Sequence, residues 1–372
     1  MDFGIMFFSS AAQKSNGNSY ALLTAAAKYA DEHGFCCVWT PERHFHEFGG
    51  LFPNPSVTSA ALAMITRNVQ LRAGSLISPL HNELRIAEEW SVVDNLSAGR
   101  VAISFGSGWN VNDFLFFPER YSTRHATMYE QIQTVQRLWQ GGAFVQQNSL
   151  GHEVSVTIYP KPVQATLPLW ITSSGNAETF ASAGAIGANI LTHLIGQDIE
   201  TLASKIEHYR AARASNGFDP QQGIVSLMLH TYMGAETAAV RDKVREPFRE
   251  YLRSAISLEE KAALSGGVIS GGHKIDPHNI PDQVREELLD ITFERYFRTA
   301  ALMGTPADCQ RLVWQLKSIG INEIACLIDF IDDHEAVLES LEFVNELRAS
   351  LSAEVINRSI TESVSAFMEE LE

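Results

Sequence analysis

The chain has 372 residues, 45% of them hydrophobic and 19% charged. That composition supports one large folded α/β domain or two ordinary ones and excludes intrinsic disorder. With 28 basic and 44 acidic groups the formal charge is −16, a field that repels nucleic acid and anionic membrane surfaces.

In chain order, short β-rich runs alternate with helical patterns. Residues 3–8 read as a strand and residues 20–33 as a helix, with Leu22, Leu23, Ala26 and Tyr29 near the 3.6 period. A strand is expected at 35–40, a helix at about 55–65, a strand at 69–77 and a helix at 84–95. Ser97-Ala98-Gly99-Arg100 stops that helix, with glycine at its C-terminal end. Further strands are expected at 101–105, 169–172, 188–192, 224–232 and 324–328. Eight strand candidates separated by helices predict parallel βαβ units closed into a (β/α)8 TIM barrel.

A barrel needs about 250 residues, and the surplus has two homes. Residues 151–168 are expected to form a small hairpin insertion, with a strand at 153–158, and residues 234–303 a helical insertion before the last barrel unit. The Gly-rich middle of that insertion, 264–278, reads as a mobile loop or lid. The expected division is a catalytic domain over 1–352 and an acidic C-terminal tail over 353–372. No apolar run reaches bilayer length, and the N-terminus lacks the basic start of a signal peptide, so a cytoplasmic location is expected. Cys36, Cys37, Cys309 and Cys326 fit neither a disulfide framework nor a zinc site.

In such a barrel the chemistry collects at the C-terminal ends of the strands. His44 and His46 follow the second strand, His81 the third, and His193 and His230 end the sixth and seventh. Any one of these could be a satisfied structural histidine. Their collection at one rim points to function, and His44, in the dense polar run Glu42-Arg43-His44-Phe45-His46-Glu47, is the candidate acid or base. Gly106-Ser107-Gly108-Trp109-Asn110 lets backbone approach a flat ligand but lacks the third glycine of a dinucleotide fingerprint. Ser173-Ser174-Gly175-Asn176 runs from a strand into a helix and forms either an ordinary N-cap or a phosphate cradle, with Arg124 as the accompanying cation.

These blocks together resemble the bacterial luciferase-like family of flavin-dependent monooxygenases over residues 1 to about 348. Glu42-Arg43-His44-Phe45 with Glu47-Phe48-Gly49 resembles the family's E-H-H-F-x-E-F-G block, and Asp94 to Arg100 is similar to its D-x-x-S-x-G-R block. Gly106 to Asn110, Ser173 to Gly175 with Ala181 to Gly184, and Gly304-Thr305-Pro306 with Gly320 to Glu323 are similar to three later blocks in the right order. Arg43 stands where the luciferases have the first of two adjacent histidines, and His44 matches the second. The resemblance implies reduced FMN bound at the rim, with its phosphate on Arg124, Ser173, Ser174, Gly175 and Asn176. It sets the flavin ring against Gly74, Ser75 and Leu76, near Ser107 and Asn110.

It further implies O2 as co-substrate, one oxygen atom passing to an organic substrate and the other leaving as water. No second nucleotide-binding unit is legible, so reduced flavin is expected from a separate reductase. The long insertion resembles the subgroup of natural-product biosynthesis, which implies a small-molecule or carrier-bound acyl substrate, and the family's habit implies a homodimer. Three rivals remain: a metal-dependent barrel hydrolase using His44, His46, His193, His230 and Asp329, a deazaflavin-dependent oxidoreductase, and a non-catalytic flavin-binding barrel.

Overall fold

The computed structural model describes residues 1–8, 18–173, 175–264 and 282–369. Eight parallel strands close on themselves in the order β1 (Asp2–Met6), β2 (Cys37–Thr40), β3 (Gln70–Ile77), β4 (Val101–Gly106), β7 (Leu169–Thr172), β8 (Asn189–His193), β9 (Val225–Met233) and β11 (Glu323–Leu327), which returns to β1. The closing register pairs Asp2 with Glu323 and Glu323 with Ser226. Strands covered on both faces need apolar residues at nearly every position, and β2 and β4 are buried throughout. All eight lie within two residues of their expected bounds. A three-residue β10 (Leu302–Gly304) extends the far end of β9, outside this ring.

The helices α1 (Ala21–Glu32), α2 (Pro55–Ala63), α3 (Glu83–Ser97), α4 (Arg124–Trp139), α5 (Ala177–Ala185), α6 (Ile199–Ser215) and α9 (Pro306–Ser318) connect the strands, and α10 (His334–Glu369) follows the last one. The stop after α3 forms as expected, with Ala98 and Gly99 both left-handed. Its Asp94 carboxylate accepts the Val163 and Gln164 amides at 2.6 and 2.9 Å, and Arg100 donates to the Val69 carbonyl at 2.6 Å. The stretch from Asp94 to Arg100 therefore braces the barrel wall.

The first insertion is the expected hairpin, formed by β5 (Phe144–Gln147) and β6 (Glu153–Val156) and beginning before the expected bound of 151. Its first strand escaped notice because residues 145–147 are exposed and mostly polar. The second insertion is an antiparallel pair, α7 (Thr237–Leu264) and α8 (Asp282–Thr299). An ion-pair ladder of Arg241 with Glu294, Arg245 with Asp290 and Arg249 with Glu286 joins them. Below the ladder, Phe248 packs on Phe293 and Tyr296. The Gly-rich stretch expected to be a lid lies outside the described residues beyond Leu264. Among the described residues no helix is long and apolar enough to cross a membrane.

The floor of the barrel is polar. Arg72 lies inside it, its guanidinium 4.8 Å from the Trp39 ring and 4.3 Å from that of Trp170. It donates to both Glu323 oxygens at 2.8 and 2.9 Å, and Ser226 Oγ donates to the same carboxylate at 2.9 Å. The opposite end, where the strands finish, carries the loops described next.

Candidate active site

The chain leaves β2 at Thr40 and turns Glu42 inward. Its side chain is fully buried, yet its carboxylate is well supplied with donors. Oε1 accepts His44 Nε2 at 2.9 Å and His81 Nε2 at 2.6 Å, and Oε2 accepts the Ile77 backbone amide at 2.7 Å. Burial alone would raise this carboxyl. The His81 charge and the three hydrogen bonds outweigh burial and hold it below the usual carboxylate range. For His81 the balance is reversed in sign: burial disfavours the imidazolium, but Glu42 overcomes it and raises His81 above an ordinary histidine, with Glu89 helping and Arg120 opposing. Because Nε2 of His44 donates to Glu42, its neutral ring carries the lone pair on Nδ1. That ring stands edge-on to Phe116 at 4.9 Å. Phe116, Phe45 and Leu115 form an exposed apolar rim beside it.

Arg43 turns away from this pair. Its guanidinium lies 4.9 Å from the Phe8 ring and 5.4 Å from that of Phe48, and its stem packs on Gly49, where a Cβ would come within 2.7 Å of Arg43 Cδ. Asp113 faces both Arg43 and His44. Burial pushes its carboxyl up to about 6, against the pull of the Arg43 guanidinium. Asn110, expected beside the flavin ring, spends its amide locally: Nδ2 donates to Asp113 at 2.8 Å and Oδ1 accepts the Asn112 amide at 3.1 Å.

The expected flavin wall is the irregular end of β3. The Gly74–Ser75 peptide is cis, and the β3–β4 register shifts between Gly74 and Leu76. A Cβ on Gly74 would stand 2.9 Å from the Trp39 ring, and one on Gly108 would stand 2.7 Å from Ile77. Only glycine keeps the backbone this close to its neighbours. Leu76 is buried and Ser107 half-buried. Ser75 Oγ meets Thr172 Oγ1 at 2.5 Å, and Ser104 Oγ meets the same Thr172 oxygen at 2.6 Å. Sequence reasoning missed Thr172 and Ser104, which sit inside runs that read simply as strand.

The candidate phosphate loop ends in an N-cap, Asn176 Oδ1 accepting the Glu178 amide at 2.9 Å at the start of α5. The Gly175 amide donates to Ser173 Oγ at 3.4 Å, and Gly175 has a positive φ of 121°. Ser174 lies outside the described residues. The cation beside the loop is Lys205 of α6, which gave no sequence signal within its helical run. Its Nζ lies 3.2 Å from where a Gly175 Cβ would stand, and it donates to Gln197 at 2.7 Å. Arg124 begins α4, which packs beside α5 through Tyr129 and Ser182. It donates to the Tyr121 carbonyl at 2.9 Å and lies over the Tyr121 ring, with Nε buried and without a partner among the described residues. An open glycine backbone, hydroxyls, a helix N-terminus and an ammonium fit a phosphate.

Two further rim histidines are held uncharged. Burial pushes His193 down to about 4 and His230 down to about 3. His193 Nδ1 accepts the Ile195 amide at 3.1 Å. His230 is edge-on to Phe248, Tyr251 and Phe330, and its Nε2 has no hydrogen-bond partner among the described residues. The insertion helix α7 thus roofs this side of the mouth with aromatic rings.

The rival metal set does not assemble. His46 Nδ1 accepts the Phe48 amide at 3.0 Å, and both Asp329 oxygens accept the Phe8 amide at 3.0 Å. Among the described residues, the group of three potential ligands that does converge is Cys36, Cys37 and Glu323 at the floor, where Glu323 already pairs with Arg72.

A closed parallel barrel with a glycine-lined wall, an anion cradle and a carboxylate-held imidazole at one rim has the layout of a flavin-dependent oxygenase. The family model for luciferase-like monooxygenases matches residues 1–323, and the chain belongs to that family. It is therefore an oxidoreductase. It is 31% identical over 327 residues to the alkanal monooxygenase alpha chain of Photorhabdus luminescens, covering 86% of this chain and 88% of that one. It is 25% identical over 365 residues to the oxygenase component of the flavin-dependent trigonelline monooxygenase of Acinetobacter baylyi, covering 93% and 94%. The crystal structure of monooxygenase RslO1 from Streptomyces bottropensis superposes with a TM-score of 0.76 at 23% identity over 93% of this chain and 98% of that one, a likeness of fold.

Proposed function

We propose that this chain is the oxygenase of a two-component system, binding reduced FMN delivered by a separate reductase and using O2 to oxygenate an organic substrate. The observation that carries the reading is the meeting, at one barrel rim, of the Gly175 cradle with its Lys205 ammonium and the Glu42-held His44. When bound, reduced FMN supplies the electrons that activate O2. Ser173, Gly175, Asn176, Lys205 and Arg124, with Ser174, hold the phosphate, and Gly74, Ser75, Leu76 and Ser107 back the ring. Asn110 shapes the turn beside it. His44 gives or takes a proton at Nδ1. The aromatic roof of Phe248, Tyr251 and Phe330 excludes water on the substrate side.

The substrate we favour is an acyl group carried as a thioester on a carrier protein in natural-product assembly. The uncharged His193 and His230 and the apolar rim suit a neutral chain better than a small, highly charged molecule. We further propose a cytoplasmic homodimer whose catalytic domain spans residues 1–352, with 353–372 as an appended acidic tail. Sedimentation that finds only monomer would remove the dimer.

The deciding experiment titrates the protein with FMN and with a deazaflavin, then follows oxygen uptake and product with reduced FMN and an acyl thioester. Tight binding of the deazaflavin alone would overturn the reading. A charge-assisted hydrogen bond contributes about 1.5–3 kcal/mol. Lys205→Gln and Arg124→Ala should therefore each weaken FMN by at least about tenfold while leaving riboflavin, which lacks the phosphate, unaffected. Equal losses for both flavins would move the phosphate elsewhere.

A further inference from the structure

Glu42 offers one oxygen, Oε1, to two imidazoles. His44 reaches it at 2.9 Å and His81 at 2.6 Å, while Oε2 is committed to the Ile77 amide. The carboxylate has no access to solvent, His44 is 9% exposed and His81 20%. A charge so enclosed is screened mainly by its two partners, so what one imidazole takes from it the other loses. We propose that His81 is a positioning residue that acts through Glu42: its protonation state sets how strongly His44 holds a proton at Nδ1.

The coupling needs no proton to cross the carboxylate. While His81 is an imidazolium it neutralises Glu42, and His44 is left beside a balanced pair. When His81 loses its proton, the whole negative charge of Glu42 faces His44 and its imidazolium is stabilised. In both states Nε2–H of His44 remains on Oε1, so proton exchange is confined to Nδ1. Glu42 raises the affinity of His81 for its proton, which favours the balanced pair.

The other charges that face these groups sit on separate elements. Asp113, in the turn after β4, faces His44 and feels Glu42. Glu89 of α3 and Arg120, in the turn before α4, face His81 with opposite signs. Arg120 is fixed there, donating to the His81 carbonyl at 2.6 Å, and Gln131 donates to the same carbonyl at 2.9 Å. The His81 backbone is therefore anchored from two sides, and its ring is free to serve Glu42. Coupling rests on this geometry alone; its effect on turnover rests on the proposed role of His44.

Two substitutions have opposite signs, which a structural role would not give. His81→Gln keeps a donor for Glu42 but removes the balancing charge, so the pKa of His44 should rise by about one unit, the low end of the effect of a close opposite charge. Glu42→Gln removes the negative charge, so the pKa of His44 should fall. The measurement is the ring titration of His44 by NMR in each protein, with the pH profile of oxygenation alongside and FMN affinity as the check on folding. An unmoved His44 titration in His81→Gln overturns the coupling, whatever the activity does, and this partly exposed site decides the matter even if Glu42→Gln does not fold. A His44 titration that rises while the pH profile of turnover stays fixed upholds the coupling and removes His44 from the chemistry.

Discussion

His44→Ala is expected to keep its FMN and to lose about a hundredfold or more of its oxygenation rate, the usual scale for a general acid–base group. The two effects separate because of where His44 stands. Its Nε2 is occupied by Glu42 and its ring by Phe45 and Phe116, while the phosphate cradle is built from other loops. Truncation leaves Glu42 with His81 and the Ile77 amide as donors, so the loop after β2 keeps two of its three anchors. Flavin titration and single-turnover product formation with an acyl thioester measure the two quantities. Full turnover by the variant would return His44 to a structural role, and His46, His81 and His193 would be the next to replace.

The barrel was legible because parallel strands covered on both sides must be apolar runs, and such runs survive without any knowledge of partners. The rim followed from it: once the strand ends are known, His44, His81, His193 and His230 fall on the same face. What the residues do there was not legible, because it depends on contacts across the chain. Glu42 and His81 are 39 residues apart, and nothing local marks them as one unit. Lys205 lies in a helical run like any exposed lysine until α6 sets its ammonium beside Gly175. Asn110 has a local role that the sequence did not show. Its amide closes the turn through Asp113 and Asn112. Asp94 and Arg100 likewise act locally, their side chains bracing loops.

The second large effect is expected at the barrel floor, far from the rim. Arg72 is buried between Trp39 and Trp170, and its counter-charge is Glu323. Glu323→Leu should destabilise the fold by about 3–5 kcal/mol, because it strands a buried guanidinium in the barrel. It also takes the acceptor from Ser226 Oγ. A large part of an ordinary domain's stability would be lost with one side chain. The paired change Arg72→Met with Glu323→Leu removes both charges and should recover most of that cost, since a buried ion pair is worth little against apolar side chains of similar volume. The recovery should be incomplete, because Gln70 Oε1 loses the Arg72 Nε–H that it accepts at 2.9 Å. Urea unfolding measures both, with the midpoint moving and the slope unchanged if the native compactness is kept. A loss below about 1 kcal/mol for Glu323→Leu, the scale of a solvent-exposed ion pair, would mean that water reaches Arg72, and the floor of the barrel would then be open rather than sealed.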